Sequence, residues 1–158
     1  MTAHYQLIIN TPLGKMVAKA DENAVFALYF EEKFNESLTE NPNSILLQLA
    51  TELDEYFAGK RREFSVPVIL QGTDFQVKTW QILQQIPYGK TISYAEQAAL
   101  VGNSKAVRAV ANANSKNKIV LLVPCHRVIG SNGALTGFAS GLWRKERLIE
   151  LEKHKINH

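Results

Sequence analysis

Pro124-Cys125-His126-Arg127 sets a thiol, an imidazole and a guanidinium side by side within the otherwise apolar run 118–129. Thiolate is the reactive form of cysteine, and a nearby cation lowers the thiol pKa from about 8.5 toward neutrality. Pro124 has no N–H and favours extended backbone, so a regular strand does not run through it. Adjacent strand residues point to opposite faces. Pairing Cys125 with His126 therefore requires a turn at Pro124-Cys125 or a bridging water, and the sequence leaves both open. Cys125 is the only cysteine in the chain, which excludes an internal disulfide and a thiolate-cluster zinc site. By residue type alone it reads more readily as an inert buried hydrophobe.

Residues 130–141 hold four of the nine glycines. They read as a hairpin turn with a flexible loop, or as a loop whose backbone groups line a pocket for a flat polar ligand, with Phe138 as its wall. The Gly-Lys-Ser/Thr ending of a phosphate-binding loop is missing. Residues 142–152 close the chain as a helix whose charges are accounted for by a solvated amphipathic face.

The elements that must position these residues are legible upstream. Thr73-Asp-Phe-Gln76 and Ser93-Tyr-Ala-Glu96 fit capping boxes that open two helices. The first places Phe75, Thr79, Leu83 and Ile86 on one face and breaks at Ile86-Pro-Tyr-Gly89. The second ends near Leu100, with Gly102 in the turn. Asn103 or Ser104 then caps a helix over 105–114. Helix, glycine turn, helix is the helix-turn-helix pattern, though such pairs also serve as plain packing units. Ala106, Ala109, Ala111 and Ala113 make the second helix thin enough to approach a nucleic-acid backbone or another helix closely. Lys105, Arg108, Lys116 and Lys118 favour phosphate.

The first part of the chain is β-rich. Residues 5–9, 15–18 and 24–30 alternate as a meander does. Residues 44–57 place Ile45, Leu49, Leu53 and Tyr56 at helical spacing, with Gly59 as the stop, and 64–70 reads as a strand with Pro67 at an edge. Gln71-Gly72 is the candidate boundary, giving units 1–71 and 72–158. Within 158 residues, 46% of them hydrophobic and 21% charged, this composition excludes a disordered or collagen-like chain. No apolar run is long enough for a transmembrane helix, and the first ten residues lack the basic and apolar regions of a secretory leader. A reduced thiol fits the cytoplasm. The net charge of +3 is divided unevenly: residues 1–70 carry six Lys/Arg against ten Asp/Glu, residues 71–158 twelve against five. The basic second part suits a polyanion, or simply a solvated surface.

From Phe75 to Glu152 the chain resembles the O6-alkylguanine-DNA alkyltransferases, the methylated-DNA–protein-cysteine methyltransferases. The residues that carry the resemblance are Ile86-Pro-Tyr-Gly89, Ser93-Tyr94, Ala106-Val-Arg-Ala-Val110, Asn117, Val123-Pro-Cys-His-Arg-Val128 and Gly137-Phe138, ending in Lys145 and Glu152. Residues 1–70 match in general character the family's variable amino-terminal domain. The implied fold is two-part: a small, β-rich, ribonuclease H-like α/β domain, then a mainly helical domain with a helix-turn-helix.

The resemblance implies direct reversal of DNA damage. Duplex DNA would be bound through the minor groove and the alkylated guanine flipped out. Its alkyl group would pass once and irreversibly to Cys125, from O6-alkylguanine and possibly O4-alkylthymine, with no cofactor, metal or membrane, by a monomer. His126 would act as base through a water, oriented by Glu152. Arg108 would fill the gap left by the base, with Lys105, Ala106, Ala109, Asn114 and Arg127 also on DNA. Tyr94 would donate its hydroxyl to the guanine, supported by Lys145. Backbone carbonyls at Cys125 and Val128 would read the exocyclic amine, Phe138, Ala139 and Ser140 would line the base pocket, and Asn117 would tie the helix-turn-helix to the active-site turn. Three positions depart from many relatives: Phe138 keeps an aromatic wall without a hydroxyl, Ala139 leaves only backbone N–H for O6, and Asn114 replaces a larger apolar side chain. A Cys-His hydrolase with turnover, and a non-catalytic lesion binder, are the rival readings.

Overall fold

The computed structural model describes residues 4–32 and 39–155; the first three residues of the stretch read against a leader, and Lys33 of the charge count, lie outside them. The chain forms two compact units, Met1–Ile69 and Leu70–His158.

In the first unit the alternating segments become β1 (Tyr5–Thr11), β2 (Gly14–Ala20) and β3 (Val25–Phe30), an antiparallel sheet in the order β1-β2-β3. β1 and β2 pair from Tyr5 opposite Ala20 to Thr11 opposite Gly14. The Asp21 carboxylate closes the second turn by accepting the N–H groups of Asn23 at 2.7 Å and Ala24 at 2.8 Å. α1 (Ser44–Phe57) starts at Asn43, whose side-chain oxygen accepts the Leu46 N–H at 3.0 Å. Such a cap contributes about 1 kcal/mol. Its buried stripe is Leu46, Leu49, Leu53 and Tyr56. The expected Ile45 is half-buried, and Leu46 takes its place. α1 packs on β1 and β2, and Met16, Ala18 and Leu28 fill the core with that stripe. Each of these leucines contributes about 2 kcal/mol by leaving water.

The strand expected over 64–70 shrinks to one bridge. Val25 donates its N–H to Pro67 O at 2.9 Å and accepts the Ile69 N–H at 3.0 Å, pairing Val68 in parallel. Pro67 has no N–H to extend the ladder. Just before it, the exposed Ser65 gives its N–H to the buried Glu52 at 2.9 Å.

In the second unit α2 (Asp74–Gln84) and α3 (Tyr94–Val101) each begin with a complete capping box, at Thr73/Gln76 and Ser93/Glu96. Gly102, at φ 105, ends α3 in the left-handed conformation that glycine adopts without a Cβ clash. α4 (Val107–Ser115) starts later than the sequence suggests. Asn103 does not cap it: its side chain accepts the Lys105 N–H at 3.0 Å, and its carbonyl accepts from Ala106, forming a separate turn. α2, α3 and α4 pack mutually. Ile82, Ala98, Val101 and Val110 form their common core, edged by Phe75, Ala106 and Val107. Beyond them β4 (Ile92–Ser93) pairs in parallel with β5 (Val128–Ile129), and α5 (Leu142–Lys155) follows the glycine-rich loop. Among the described residues no helix is long and apolar enough to cross a membrane.

Candidate active site

Backbone chemistry presents Cys125. Leu121 stands at φ 73, a strained left-handed conformation for a branched side chain, and Leu122 donates its N–H to Val120 O at 2.9 Å across it. Pro124, at φ −80 and ψ 69, makes a second three-residue turn in which Cys125 N–H bonds Val123 O at 2.8 Å. Arg127 N–H then bonds Pro124 O at 3.0 Å, and Cys125–Arg127 form a single 3-10 turn. Of the two arrangements left open by the sequence, the chain thus contains the turn. Asn117 holds it from outside. Its amide donates to Val123 O at 2.7 Å and accepts the Ile119 N–H at 3.0 Å, and its side chain also hydrogen-bonds Cys125.

His126 is 1% exposed, and its Nε2 lies 2.7 Å from Glu152 Oε2 on α5. Arg127 reaches the same carboxylate with two nitrogens, Nε to Oε1 at 2.8 Å and Nη2 to Oε2 at 3.0 Å. Its Nη1 donates to Ile86 O at 2.7 Å, and Gly89 N–H approaches Glu152 Oε1 at 3.3 Å. The Ile86-Pro-Tyr-Gly89 break thereby becomes the seat of Glu152. Arg127, expected on DNA, is buried in this ion pair instead, because a buried carboxylate needs a cation to remain charged.

Burial alone would raise the Glu152 carboxyl, but hydrogen bonds and charge from His126 and Arg127 outweigh it and hold the group well below its ordinary range. An ionised carboxylate only accepts, so His126 Nε2 carries the proton. Nδ1 is then the basic lone pair, and among the described residues it has no hydrogen-bond partner. Burial pushes the imidazole pKa down, against the pull of Glu152, which favours the neutral ring.

The thiol departs from expectation. Burial, at 8% exposure, raises the Cys125 pKa, opposed by the Asn117 hydrogen bond and the charge of Lys145. The cation acting on the sulfur is thus Lys145, not the adjacent guanidinium that Glu152 engages. Burial lowers Lys145 itself to about 8, with Cys125 opposing.

Lys145 Nζ donates to Thr136 O at 2.6 Å and to Tyr94 Oη at 3.3 Å, while Tyr94 Oη donates to the same carbonyl at 2.9 Å. Burial raises the Tyr94 phenol, the Thr136 bond opposing. Gly137 is required here: at φ 66 its added Cβ would meet Tyr94 Oη at 3.1 Å. Phe138 is buried, Ala139 exposed and Ser140 half-buried. Arg144 anchors the loop's end, donating to Ser140 O at 2.7 Å. Val128 is buried, and its N–H bonds Cys125 O.

On α4 and the turn before it, Arg108, Ala109 and Lys105 are exposed and Ala106 is half-buried against the core. Asn114, expected on the outer face, is 4% exposed and turned inward, with its amide paired to Gln97. The residues missed in the sequence are Thr136, Gln97 and Arg144. Their work is done through carbonyls and partners distant in the chain, which composition does not signal. Among the described residues no cluster of His, Cys, Asp and Glu could hold a metal ion.

The unit that holds the buried thiol and the His–Glu pair, and the unit before it, both match known proteins. Residues 74–154 match the family model of the 6-O-methylguanine DNA methyltransferase DNA-binding domain, and 4–70 that of its ribonuclease-like domain. The chain is similar to the constitutive methylated-DNA–protein-cysteine methyltransferase of Bacillus subtilis, 44% identical over 160 residues and covering 95% of this chain and 96% of the relative. Among solved structures it is similar to the Mycobacterium tuberculosis O6-methylguanine methyltransferase, with a TM-score of 0.88, 39% identity, and coverage of 97% and 94% of the two chains. The OGT of the same organism, solved in complex with DNA, gives 0.86 at 40% identity, covering 94% and 92%. The fold, the two matched domains and this identity together place the chain in the 6-O-methylguanine DNA methyltransferase family.

Proposed function

We propose that the protein repairs DNA by moving a methyl or larger alkyl group from O6 of guanine in duplex DNA onto its own Cys125, once per molecule. The observation that carries this reading is the pairing of a cysteine turn with a neutral histidine whose Nδ1 lone pair is free and whose Nε2–H is held by Glu152. The thiol proton passes through a water to His126 Nδ1. Sulfur attacks the alkyl carbon, the carbon–O6 bond breaks, and its electron pair leaves with guanine. Tyr94 Oη donates a proton to the leaving base, and Lys145 supports that hydroxyl. Tyr94 recovers a proton from Lys145, and Lys145 and His126 return to their resting states by proton exchange with solvent, so in sum a proton moves from sulfur to guanine and a thioether forms. The elevated thiol pKa makes this coupled proton removal necessary, since burial disfavours a resting thiolate. The protein's own thiol takes the group, so the reaction needs no cofactor.

The exposed Arg108 fills the space of the extruded base as α4 lies along the minor groove, with Lys105 and Ala109 beside the backbone. Phe138, Ala139 and Ser140 flank the captured base, and the carbonyls of Cys125 and Val128 read its amine. The protein acts as a monomer, in the cytoplasm, where its thiol stays reduced. Incubation with excess O6-benzylguanine is expected to add one benzyl group per molecule by intact mass and then stop. Continued turnover on activated esters would instead identify a hydrolase.

A further inference from the structure

Gln97 on α3 and Asn114 on α4 form a closed pair of amides. Gln97 Nε2 donates to Asn114 Oδ1 at 2.9 Å, and Asn114 Nδ2 donates back to Gln97 Oε1 at 2.7 Å. Gln97 Nε2 also reaches Thr79 O of α2 at 3.4 Å. Both residues are buried, Gln97 at 0% exposure. One residue earlier on α4, Ala113 O accepts the indole N–H of Trp80 from α2 at 2.8 Å. Two consecutive residues near the C-terminal end of α4 are therefore pinned by directional polar bonds.

Among the described residues the other end of α4 has no such pin. Ala106, before its first turn, makes no side-chain capping bond, and Ala106, Val107 and Val110 belong to an apolar cluster with Phe75 and Ile82 of α2 and Ala98 and Val101 of α3. Such contacts are non-directional and tolerate sliding and rotation. A buried amide pair does not: shifting α4 by one residue breaks both bonds of the pair and leaves buried amide atoms unsatisfied, each costly in an apolar interior. Buried amides fix register in this way between paired helices elsewhere.

We infer that Gln97 and Asn114 are positioning residues that set the rotation of α4 relative to α3, and so the placement of exposed Arg108 relative to Tyr94. Tyr94 is the first residue of the helix that carries Gln97. Base extrusion and base capture are thereby held in one geometry by a pair that touches neither DNA nor base. This inference rests on the role proposed above for Arg108.

The test compares second-order rates on an O6-methylguanine duplex and on free O6-benzylguanine for the full chain, Gln97→Met/Asn114→Leu and Arg108→Ala. Replacing both amides by apolar side chains of similar size removes the pair without orphaning either partner. The duplex rate of the double variant is expected to fall about tenfold or more while the free-base rate stays within about twofold. An unchanged duplex rate, or equal losses on both substrates, would overturn the inference. If Arg108→Ala loses duplex rate selectively and the amide replacement does not, the inference alone fails. If Arg108→Ala shows no selective loss, both readings fall. Should the apolar pair not fold, the exchanged pair Gln97→Asn/Asn114→Gln decides: a duplex-to-free-base ratio within about threefold of the parent supports the inference, and a collapsed ratio overturns it.

Discussion

At the scale of single residues, Glu152 does most to organise the site, because one carboxylate fixes the histidine tautomer and neutralises a buried guanidinium. Glu152→Gln replaces a charged acceptor by a neutral amide. It leaves Arg127 buried without its ion-pair partner, at a cost of about 3 kcal/mol. It also removes the preference that keeps Nδ1 as the lone pair. Alkyl transfer to free base is expected to slow about tenfold or more. The pH dependence of stability has a definite sign. The folded carboxyl lies below its ordinary 4.5, so the unfolded chain takes up the proton more readily. Its stabilisation is complete above that pH and is lost as pH falls further; His126, depressed below 6.5, adds loss in the same direction from its own ordinary value downward. Denaturant melts between pH 7 and 3 should therefore show a steep acid limb in the parent and a shallower one in Glu152→Gln. Parallel limbs would mean that this carboxylate is not held as described.

At the scale of elements, what the sequence discloses is what depends on neighbours in the chain. Both capping boxes, the glycine end of α3 and the break at Ile86-Pro-Tyr-Gly89 rest on contacts a few residues apart, and each forms. The misread elements depend on distant partners. Asn103 resembles a cap but closes its own turn, and the segment over 64–70 has strand character but, among the described residues, a single pairing partner. The site follows the same division. Cys125 and His126 are legible because their types already imply chemistry, whereas Glu152 enters only through the family resemblance. Arg127 and Asn114 are expected on DNA from that resemblance alone. Their actual partners, Glu152 and Gln97, stand 25 and 17 residues away. Arg108 retains its exposed place on α4. Arg108→Ala should accordingly weaken repair of duplex more than reaction with free base, because only duplex requires extrusion. Equal losses on both substrates would remove its role as a base substitute.

At the scale of the whole molecule, the charge division follows the division of labour. Cys125, its histidine relay and the proposed DNA helix all belong to Leu70–His158, the unit in which basic residues outnumber acidic ones. Phosphate contacts release counterions, so affinity for duplex falls with salt. Between about 50 and 200 mM salt the duplex reaction should slow about tenfold or more while the free-base reaction holds nearly constant. Equal salt sensitivity would place the basic residues outside recognition. The transfer itself is tested most directly with a duplex bearing one isotopically labelled O6-methylguanine, followed by peptide mass analysis of the protein and base analysis of the DNA. The expected result is one labelled methyl group on Cys125 for each guanine restored, with neither change in Cys125→Ala. Label on another residue, or restored guanine without a methylated cysteine, would contradict the account.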